Sequence, residues 1–308
     1  MDNRAEVKAF LSSRRAKLTP GDAGIVHYGR NRRVPGLRRS EVAELAGVSV
    51  EYYSQLERGH LAGASDSVLE ALSQALQLDE AERGHLLALA RAAGPAPRRR
   101  RTVAQDVRPS VARLLQLMTA VPSFVENARL DVLAANPLGT ALYAPVFDGG
   151  AQSPNLARFT FLDPRARTFW GDWNRAADDT VAMLRVAAGR DPYDKALTDL
   201  IGELSTRSDD FRIRWGAHDV KLHRTGTKHI RHPVVGDLHL SYEVMDLSAD
   251  TGQTLVTFTA PADTPSDEAL RLLGSWVATH DTAEHPASPT DASRRSRRLA
   301  PRRPGPAR

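Results

Sequence analysis

The sequence predicts two folded domains of different class, an all-α domain over residues 1–93 and an α+β domain over residues 108–280. Apolar residues recur at helical spacing in the first region, whereas apolar and polar residues alternate strictly from Leu238 to Val244. Residues 94–107 are rich in Pro, Ala and Arg, which indicates a basic linker. Residues 281–308 consist mostly of Pro, Ala, Ser and Arg, which predicts a disordered basic tail.

The first domain is predicted to contain about five helices. The first helix runs from about Arg4 to Lys17, where apolar residues share one face. The second and third helices lie within residues 39–58. Two pairs of residues have the spacing of a capping box and predict the starts of the fourth and fifth helices: Ser67 with Glu70, and Asp79 with Glu82.

Residues 39–58 have the pattern of a helix-turn-helix. Ala43 falls at the fifth position, where two helices cross closely, and Gly47 falls at the ninth, where the turn favours positive φ. Apolar residues occupy the positions that face the angle between the helices: Val42, Ala46, Val48, Tyr53 and Leu56. Ser40 and Ser49 are predicted to cap the two helices. Seven constrained positions in one register predict a DNA-binding domain.

The exposed face of the second of these helices predicts where DNA bases are contacted. Short or polar side chains on this face can enter the major groove. The candidates are Ser49, Val50, Glu51, Ser54 and Gln55. Candidate phosphate contacts come from basic residues around the motif: Arg32, Arg33, Arg38, Arg39 and Arg58. One small helix-turn-helix reads few bases, so we expect a homodimer on a two-fold operator in double-stranded DNA.

The distribution of charge agrees with this interpretation. Residues 1–101 carry 17 Lys and Arg against 12 Asp and Glu, whereas residues 102–280 carry 18 against 22. Residues 281–308 carry 7 against 3. A basic first domain beside a mildly acidic second one is typical of a DNA reader joined to a domain that does not touch phosphates.

The second domain is predicted to mix helices with antiparallel strands. In chain order the pattern predicts a helix at 110–118, strands at 124–127 and 132–133, a short helix opening at Asn136-Pro137, helices over 172–204 with a break at Gly189–Pro192, strands from 225 onward including 238–244 and 255–259, and a last short helix at 268–277. This order of elements is that of an α+β fold.

Several classes of function lack support in the sequence. The chain has no cysteine, which excludes disulfides and cysteine-ligated zinc, and its histidines fit no zinc signature. No nucleophile elbow, phosphate loop, dinucleotide fingerprint or zinc-protease motif occurs, so we expect neither an enzyme nor a cofactor. No apolar run reaches the ~20 residues of a membrane span. We therefore expect a cytoplasmic, nucleoid-associated protein.

Two parts of the chain resemble a known family. Residues 36–92 are similar to the N-terminal domain of bacterial xenobiotic-response-element-type regulators of the MmyB-like group. The matching segments are G-L-R-R-S-E-V-A-E-L-A-G-V-S-V-E-Y-Y-S-Q-L-E-R-G at 36–59 and S-V-L-E-A-L-S-Q-A-L-Q-L-D-E-A-E-R-G-H-L at 67–86. The second domain resembles the ligand-binding domain of that group in four segments: D-V-L-A-A-N at 131–136, F-L-D-P-R-A-R at 161–167, D-W at 172–173, and H-P-V-V-G-D-L-H-L-S-Y-E at 232–243. The resemblance covers about residues 4–275.

This resemblance implies a lambda-repressor-like fold for the first domain, a PAS-like fold for the second domain and a fatty-acid-like ligand. Candidate ligand-binding residues for an apolar cavity are Phe124, Phe161, Trp173, Met183 and Tyr242, with a place in the ordinary apolar core as the alternative for each of them. Arg165 and Arg167 are candidates to hold a ligand carboxylate, with surface ion pairs as the alternative role. A second domain that binds a protein partner, or that only dimerises, is the alternative to a ligand sensor.

Overall fold

The computed structural model of the protein describes residues 3–25, 34–94, 106–148, 154–217 and 224–284, with side chains described up to residue 279. In the first domain it contains the five predicted helices: α1 (Asn3–Lys17), α2 (Arg39–Leu45), α3 (Val50–Glu57), α4 (Asp66–Ala75) and α5 (Glu80–Ala93). They enclose one apolar core in which Phe10, Val42, Tyr53 and Leu72 are fully buried.

The turn between α2 and α3 has the predicted geometry. Gly47 has a φ of 63°, and Ala43 is buried where the two helices cross. Gly59, directly after the motif, has a φ of 99°, and a Cβ atom there would lie 2.6 Å from the carbonyl oxygen of Arg4. Glycine at position 59 therefore allows the first helix to pack directly against the end of the motif.

The predicted helix caps are confirmed in part. Ser49 accepts a hydrogen bond from the Tyr52 backbone N–H at 3.1 Å and caps α3. Ser40 does not cap α2, because the helix begins at Arg39 and the chain is still extended at Arg38. The capping box of Asp79 with Glu82 is confirmed. The predicted box at Ser67 and Glu70 is wrong, because α4 begins at Asp66, two residues earlier than a cap at Ser67 requires, and Ser65 accepts from the Val68 backbone N–H instead.

A five-stranded antiparallel sheet forms the centre of the second domain. Its strands are β1 (Ser123–Asn127), β2 (Val132–Ala135), β3 (Thr225–His232), β4 (Gly236–Asp246) and β5 (Gln253–Thr259), in the spatial order β2-β1-β5-β4-β3. All neighbouring strands are antiparallel. The predicted face of β4 is confirmed, because Leu238, Leu240 and Tyr242 are buried together.

Helices cover most of one face of the sheet. In chain order the described helices are α6 (Pro109–Leu117), α7 (Pro137–Leu142), α8 (Ala144–Phe147), α9 (Leu156–Leu162), α10 (Ala166–Phe169), α11 (Trp173–Arg190), α12 (Lys195–Arg207), α13 (Asp209–Gly216) and α14 (Pro265–Glu284). The main core lies between the sheet and the helices α7, α9, α10 and α14. Helix α6 packs on the opposite face, where Val111 and Leu115 meet Val125 and Leu255.

The prediction from the sequence omitted four short helices and made the last helix too short. The short helices α8, α9, α10 and α13 were not predicted, because four to eight residues give too few turns for a clear period. Helix α14 extends to Glu284, so the predicted start of the tail at residue 281 is wrong. Residues 285–308 and residues 95–105 of the predicted linker lie outside the described residues.

Both edge strands of the sheet are partly covered by other segments. At the β2 edge, Asp131 pairs with Asn155 in an isolated bridge, and the Val132 N–H donates to the carbonyl of Pro154. At the β3 edge, Trp170 pairs with Ile230, and the Gly171 N–H donates to the carbonyl of His229. These contacts occupy backbone groups that an open edge would expose. No helix in the described part of the chain is long and apolar enough to cross a membrane.

Candidate functional site

The exposed face of α3 brings the predicted base-contacting residues together. Val50, Glu51 and Gln55 are exposed and Ser54 is half-buried, while Tyr53 and Leu56 on the opposite side are buried. Residues at positions 50, 51, 54 and 55 follow helical spacing and therefore share one side. Ser49 is also exposed, but its hydroxyl oxygen is engaged in the cap of α3.

The predicted phosphate contacts differ in their availability. Arg38 and Arg58 are exposed at the two ends of the motif. Arg39 is half-exposed, and its guanidinium donates to the Glu57 carboxylate at 3.2 Å, so it is shared between solvent and an internal ion pair. Arg32 and Arg33 lie outside the described residues.

Glu57 is a buried carboxylate that fastens the motif to α1. Arg15 donates to it at 2.9 Å from α1, and Arg39 donates from the start of α2. Burial alone would raise the pKa of Glu57, but the hydrogen bonds from Arg15 and Arg39 outweigh it and lower that pKa. The sequence analysis missed this residue. The position of Glu57 next to Leu56, on the buried side of α3, could have indicated that this carboxylate is buried.

A cavity lies between α11, the edge strand β3 and the inner face of the sheet. Its outer chamber has a volume of about 270 Å³ and is lined by Trp170, Asp172, Arg175, Ala176, Asp179, Thr227, Lys228, His229 and His239. Its inner chamber is much smaller, about 30 Å³, and is lined by Phe124, Glu126, Tyr143, Leu156, Thr160, Trp170, Ala176, Thr180, Met183, Lys228, Tyr242, Val256 and Phe258. The two chambers share Trp170, Ala176 and Lys228.

Three of the predicted ligand residues line this cavity and four do not. Phe124, Met183 and Tyr242 line the inner chamber. Phe161 instead packs edge-on against Phe211, with ring centroids 5.1 Å apart. The other three lie around the surface of α10 and α11: Trp173, Arg165 and Arg167.

The two arginines form surface ion pairs, which is the alternative role that the sequence allowed. Arg165 donates to Asp163 at 2.7 Å, and Arg167 donates to Asp210 at 2.6 Å. The Arg167 guanidinium also lies 3.9 Å from the ring centroid of Trp173. These contacts hold the side chains of Arg167 and Trp173 against each other, away from the cavity lining.

Two charged residues inside the cavity were missed by the sequence analysis. Glu126 is 6% exposed, and burial raises its pKa to about 7 while the nearby Lys228 opposes this shift. Lys228 lies 5.4 Å from the ring centroids of both Trp170 and Tyr242, and burial lowers its pKa. Alternation along the strands could have located both residues, because Glu126 shares a strand face with Phe124 and Lys228 with Ile230.

Histidines at the outer chamber stack on each other. The rings of His229 and His239 lie 4.2 Å apart, and His229 contacts the Asp237 carboxylate at 2.8 Å. Within the described ranges, no group of three or more potential ligands is arranged to hold a metal ion. His218 and His223 lie outside those ranges.

The two domains meet where α11 packs against α5. Arg185 on α11 is fully buried and forms an ion pair with Glu6 on α1. Its guanidinium also donates to the carbonyl oxygen of Trp215 and lies 4.2 Å from the centroid of that ring. His85 on α5 is buried beside Glu6, and desolvation lowers its pKa despite the opposing effect of the carboxylate. We call Glu6, His85 and Arg185 the interdomain cluster.

Close packing surrounds the interdomain cluster. A Cβ atom at Gly189 would lie 2.6 Å from the His85 ring, so the backbone of α11 contacts that ring directly. Val186 packs against the apolar core of the first domain. Helix α11 is therefore part of the second domain in sequence, and it packs against the cores of both domains.

Comparison with known proteins agrees with this architecture. Residues 11–86 match the family model described as a helix-turn-helix domain. Residues 107–273 match the model described as the MmyB-like transcription regulator ligand binding domain, which is more than half of the chain. No curated protein matches the chain. The protein therefore belongs to the helix-turn-helix transcription regulators that carry an MmyB-like ligand-binding domain.

Proposed function

We propose that the affinity of this DNA-binding regulator for its operator is controlled by a small ligand in the cavity of the second domain. The observation that carries the proposal is the position of α11. Ala176, Thr180 and Met183 on this helix line the inner chamber, and Arg185 on the same helix pairs with the first domain. At 1.5 Å of rise per residue, Met183 and Arg185 are separated by about 3 Å along the helix axis.

Control by the ligand follows if α11 has two positions. A ligand that prefers one position of α11 would shift the balance between two arrangements of the domains, because only differential affinity moves such an equilibrium. The proposed role is therefore regulatory and not enzymatic. In this proposal the cavity binds the ligand, and α11 connects the cavity to the DNA-binding domain.

The proposed ligand is fatty-acid-like, with an apolar body and an acid group. Aromatic rings and Met183 form most of the wall of the inner chamber and suit an apolar body. Lys228 and Arg175 replace Arg165 and Arg167 as the candidates to bind the carboxylate, since the first pair faces the cavity and the second does not. The outer volume of about 270 Å³ lies near the lower end of ligand pockets, roughly 300–1,000 Å³.

We further propose that the bacterial protein acts as a cytoplasmic, nucleoid-associated homodimer of the xenobiotic-response-element type, on a two-fold operator. The five-stranded sheet under helices supports the likeness to a PAS-like fold. Leu272 and Trp276 on α14 are 60% and 43% exposed and one helical turn apart, which suits an apolar contact between second domains. This surface also supports the second candidate, a domain that binds a protein partner or only dimerises.

The DNA-reading part of the proposal is tested with Gln55→Ala. The loss of its amide should cost about 1–3 kcal/mol at one base position and relax the preference there. Gln74→Ala on α4 is the matched control, because Gln74 is exposed in the same domain on another helix. Binding-site selection and titration with operator DNA provide the measurement. An unchanged site preference for Gln55→Ala would place a different surface on the bases.

The ligand part is tested by filling the inner chamber. Met183→Trp should abolish the response of operator affinity to added fatty acids and leave the ligand-free affinity nearly unchanged. Met245→Trp is the matched control, because Met245 is exposed and does not line the cavity. If delipidated wild-type protein binds no acyl compound and its operator affinity ignores all of them, the partner-binding candidate replaces the sensor.

A further inference from the structure

The inner chamber contains a buried carboxyl group with no hydrogen-bond partner among the described residues. Glu126 points from β1 into the chamber, and no residue in the described part of the chain hydrogen-bonds to its carboxyl or lies within ion-pairing distance of it. The protein therefore supplies no hydrogen-bond partner to this carboxyl within the described residues, and leaving a buried polar group without any partner is costly. In a cavity, a ligand can restore the missing contact.

The surroundings of Glu126 define which chemical group suits it. Phe124, Tyr143 and Phe258 form an apolar wall around it, and Lys228 lies close enough to influence its pKa. A ligand ammonium would have to lose its water shell among the apolar side chains and lie near a second cation, Lys228, whereas a plain methyl end would leave the carboxyl unsatisfied. A neutral hydroxyl avoids both costs, since it can donate to or accept from the carboxyl.

We infer that the cavity takes a short acid that carries a neutral hydroxyl at its far end, with the hydroxyl at Glu126 and the acid group toward Lys228 and Arg175. This inference rests on the proposed function and narrows its ligand class from acyl compounds in general to hydroxylated acids. The small volumes of the two chambers favour a short chain.

The outer chamber has groups of both signs, and their arrangement supports the placement of the acid. Lys228 and Arg175 are the cationic groups, and no ion pair within the described part of the chain occupies either of them. The Asp172 carboxylate accepts from the Arg175 backbone N–H at 3.0 Å and caps α11, so its charge is offset by the N-terminus of that helix. Asp179 also lines the outer chamber and favours the charged form of Lys228. His229 is engaged with Asp237, and its ring stacks on His239.

The test uses calorimetric titration of the full-length delipidated protein at neutral pH. Its probes are hexanoate, octanoate and their ω-hydroxy derivatives, which differ only in the terminal hydroxyl. Wild-type protein should bind the hydroxylated member of the better-fitting pair about 10- to 100-fold more tightly, which is the range for a hydrogen bond to a buried carboxyl.

Variants at position 126 show whether the preference comes from this carboxyl. Glu126→Leu should abolish the preference for the hydroxylated acid and keep or improve binding of the plain acid. Glu126→Gln retains one acceptor oxygen and nearly the same shape, so it should keep part of the preference and serves if the Leu variant does not fold. Glu243→Gln is the matched control, because Glu243 is exposed on β4 of the same sheet and does not line the cavity.

Two kinds of result would overturn the inference. Equal affinity of wild-type protein for both members of each pair, or a hydroxyl preference that survives in Glu126→Leu, removes the assigned role of Glu126. Failure of all four probes to bind wild-type protein also overturns it. In each case the proposed function stands if longer plain fatty acids bind and change operator affinity, and it fails as well if they do not.

Discussion

Removing the charge of Glu6 should separate the two domains without unfolding either of them. In Glu6→Gln the shape of the side chain is kept, but the fully buried Arg185 loses the carboxylate that compensates its charge. Removal of one partner from a buried ion pair costs about 3–5 kcal/mol. The Arg185 guanidinium keeps its contacts with the backbone carbonyl and the ring of Trp215 in this variant. We therefore expect a destabilisation of about 3 kcal/mol, the lower end of that range.

That cost can be avoided if the domains move apart. Contacts between domains of one chain resemble transient interfaces, and their separation would return Arg185 to water. We therefore expect Glu6→Gln to lose the α5–α11 contact first. Hydrogen exchange should become faster at residues 81–93 and 181–190, and denaturant unfolding should change from one transition to two.

Glu80→Gln provides a control at the same interface. Glu80 pairs with Arg224 across the domains at 3.0 Å, but the two side chains are 75% and 63% exposed. Such an exposed pair contributes about 0–1 kcal/mol, so this variant should behave like the wild type. If both variants show the same exchange rates and a single transition at the wild-type midpoint, the interdomain cluster does not hold the domains together.

Three further predictions concern single residues. Gly59→Ala should destabilise the first domain by roughly 2 kcal/mol or more in thermal unfolding, because its φ of 99° is strained for alanine and the new methyl would lie 2.6 Å from the Arg4 carbonyl oxygen; an unchanged midpoint would contradict this. Ser49→Ala should cost about 1 kcal/mol in denaturant unfolding, because the Tyr52 N–H loses its acceptor, and a loss below a few tenths would mean that water replaces the cap. Glu126 has a pKa of about 7 in the folded protein, above its usual value of 4.5, so the folded state binds more protons than the unfolded state between these pH values. The free energy of unfolding should therefore fall by up to roughly 3 kcal/mol as pH rises from 4.5 through 7. Glu126→Gln should remove this pH dependence, and an equal pH dependence in the variant would assign it to another group.

Local features of the fold could be predicted from the sequence because their causes are local. The α2–α3 motif depends on residues within about twenty positions, such as Ala43 and Gly47. The break between α11 and α12 follows from Gly189–Pro192, which the sequence also showed. The Ser40 cap was wrong because helix starts vary by one or two residues, and here Glu41 accepts from the Arg38 N–H and lets the helix begin earlier.

Features that join distant segments could not be predicted from one sequence. Arg185 and Glu6 are 179 positions apart, and nothing local to either residue indicates the other. The same reason explains why the predicted carboxylate ligands Arg165 and Arg167 do not line the cavity. They were chosen from a recognisable motif, but the cavity is formed by segments that meet only in the fold. Glu126 and Lys228 were within reach, because a charged residue on the apolar face of a strand is unusual.

The covered edges of the sheet limit how this regulator can aggregate. Bridges from Asn155 and Trp170 occupy backbone groups beside β2 and β3 that would otherwise accept a strand from another molecule. At these two places, strand addition, which is the route to cross-β fibres, would require the covering segments to detach first. If strand addition starts at these places, the contacts of the residues around 155 or 170 with the sheet edges should be lost first. Faster amide hydrogen exchange at these residues would then indicate that a concentrated sample is prone to aggregate.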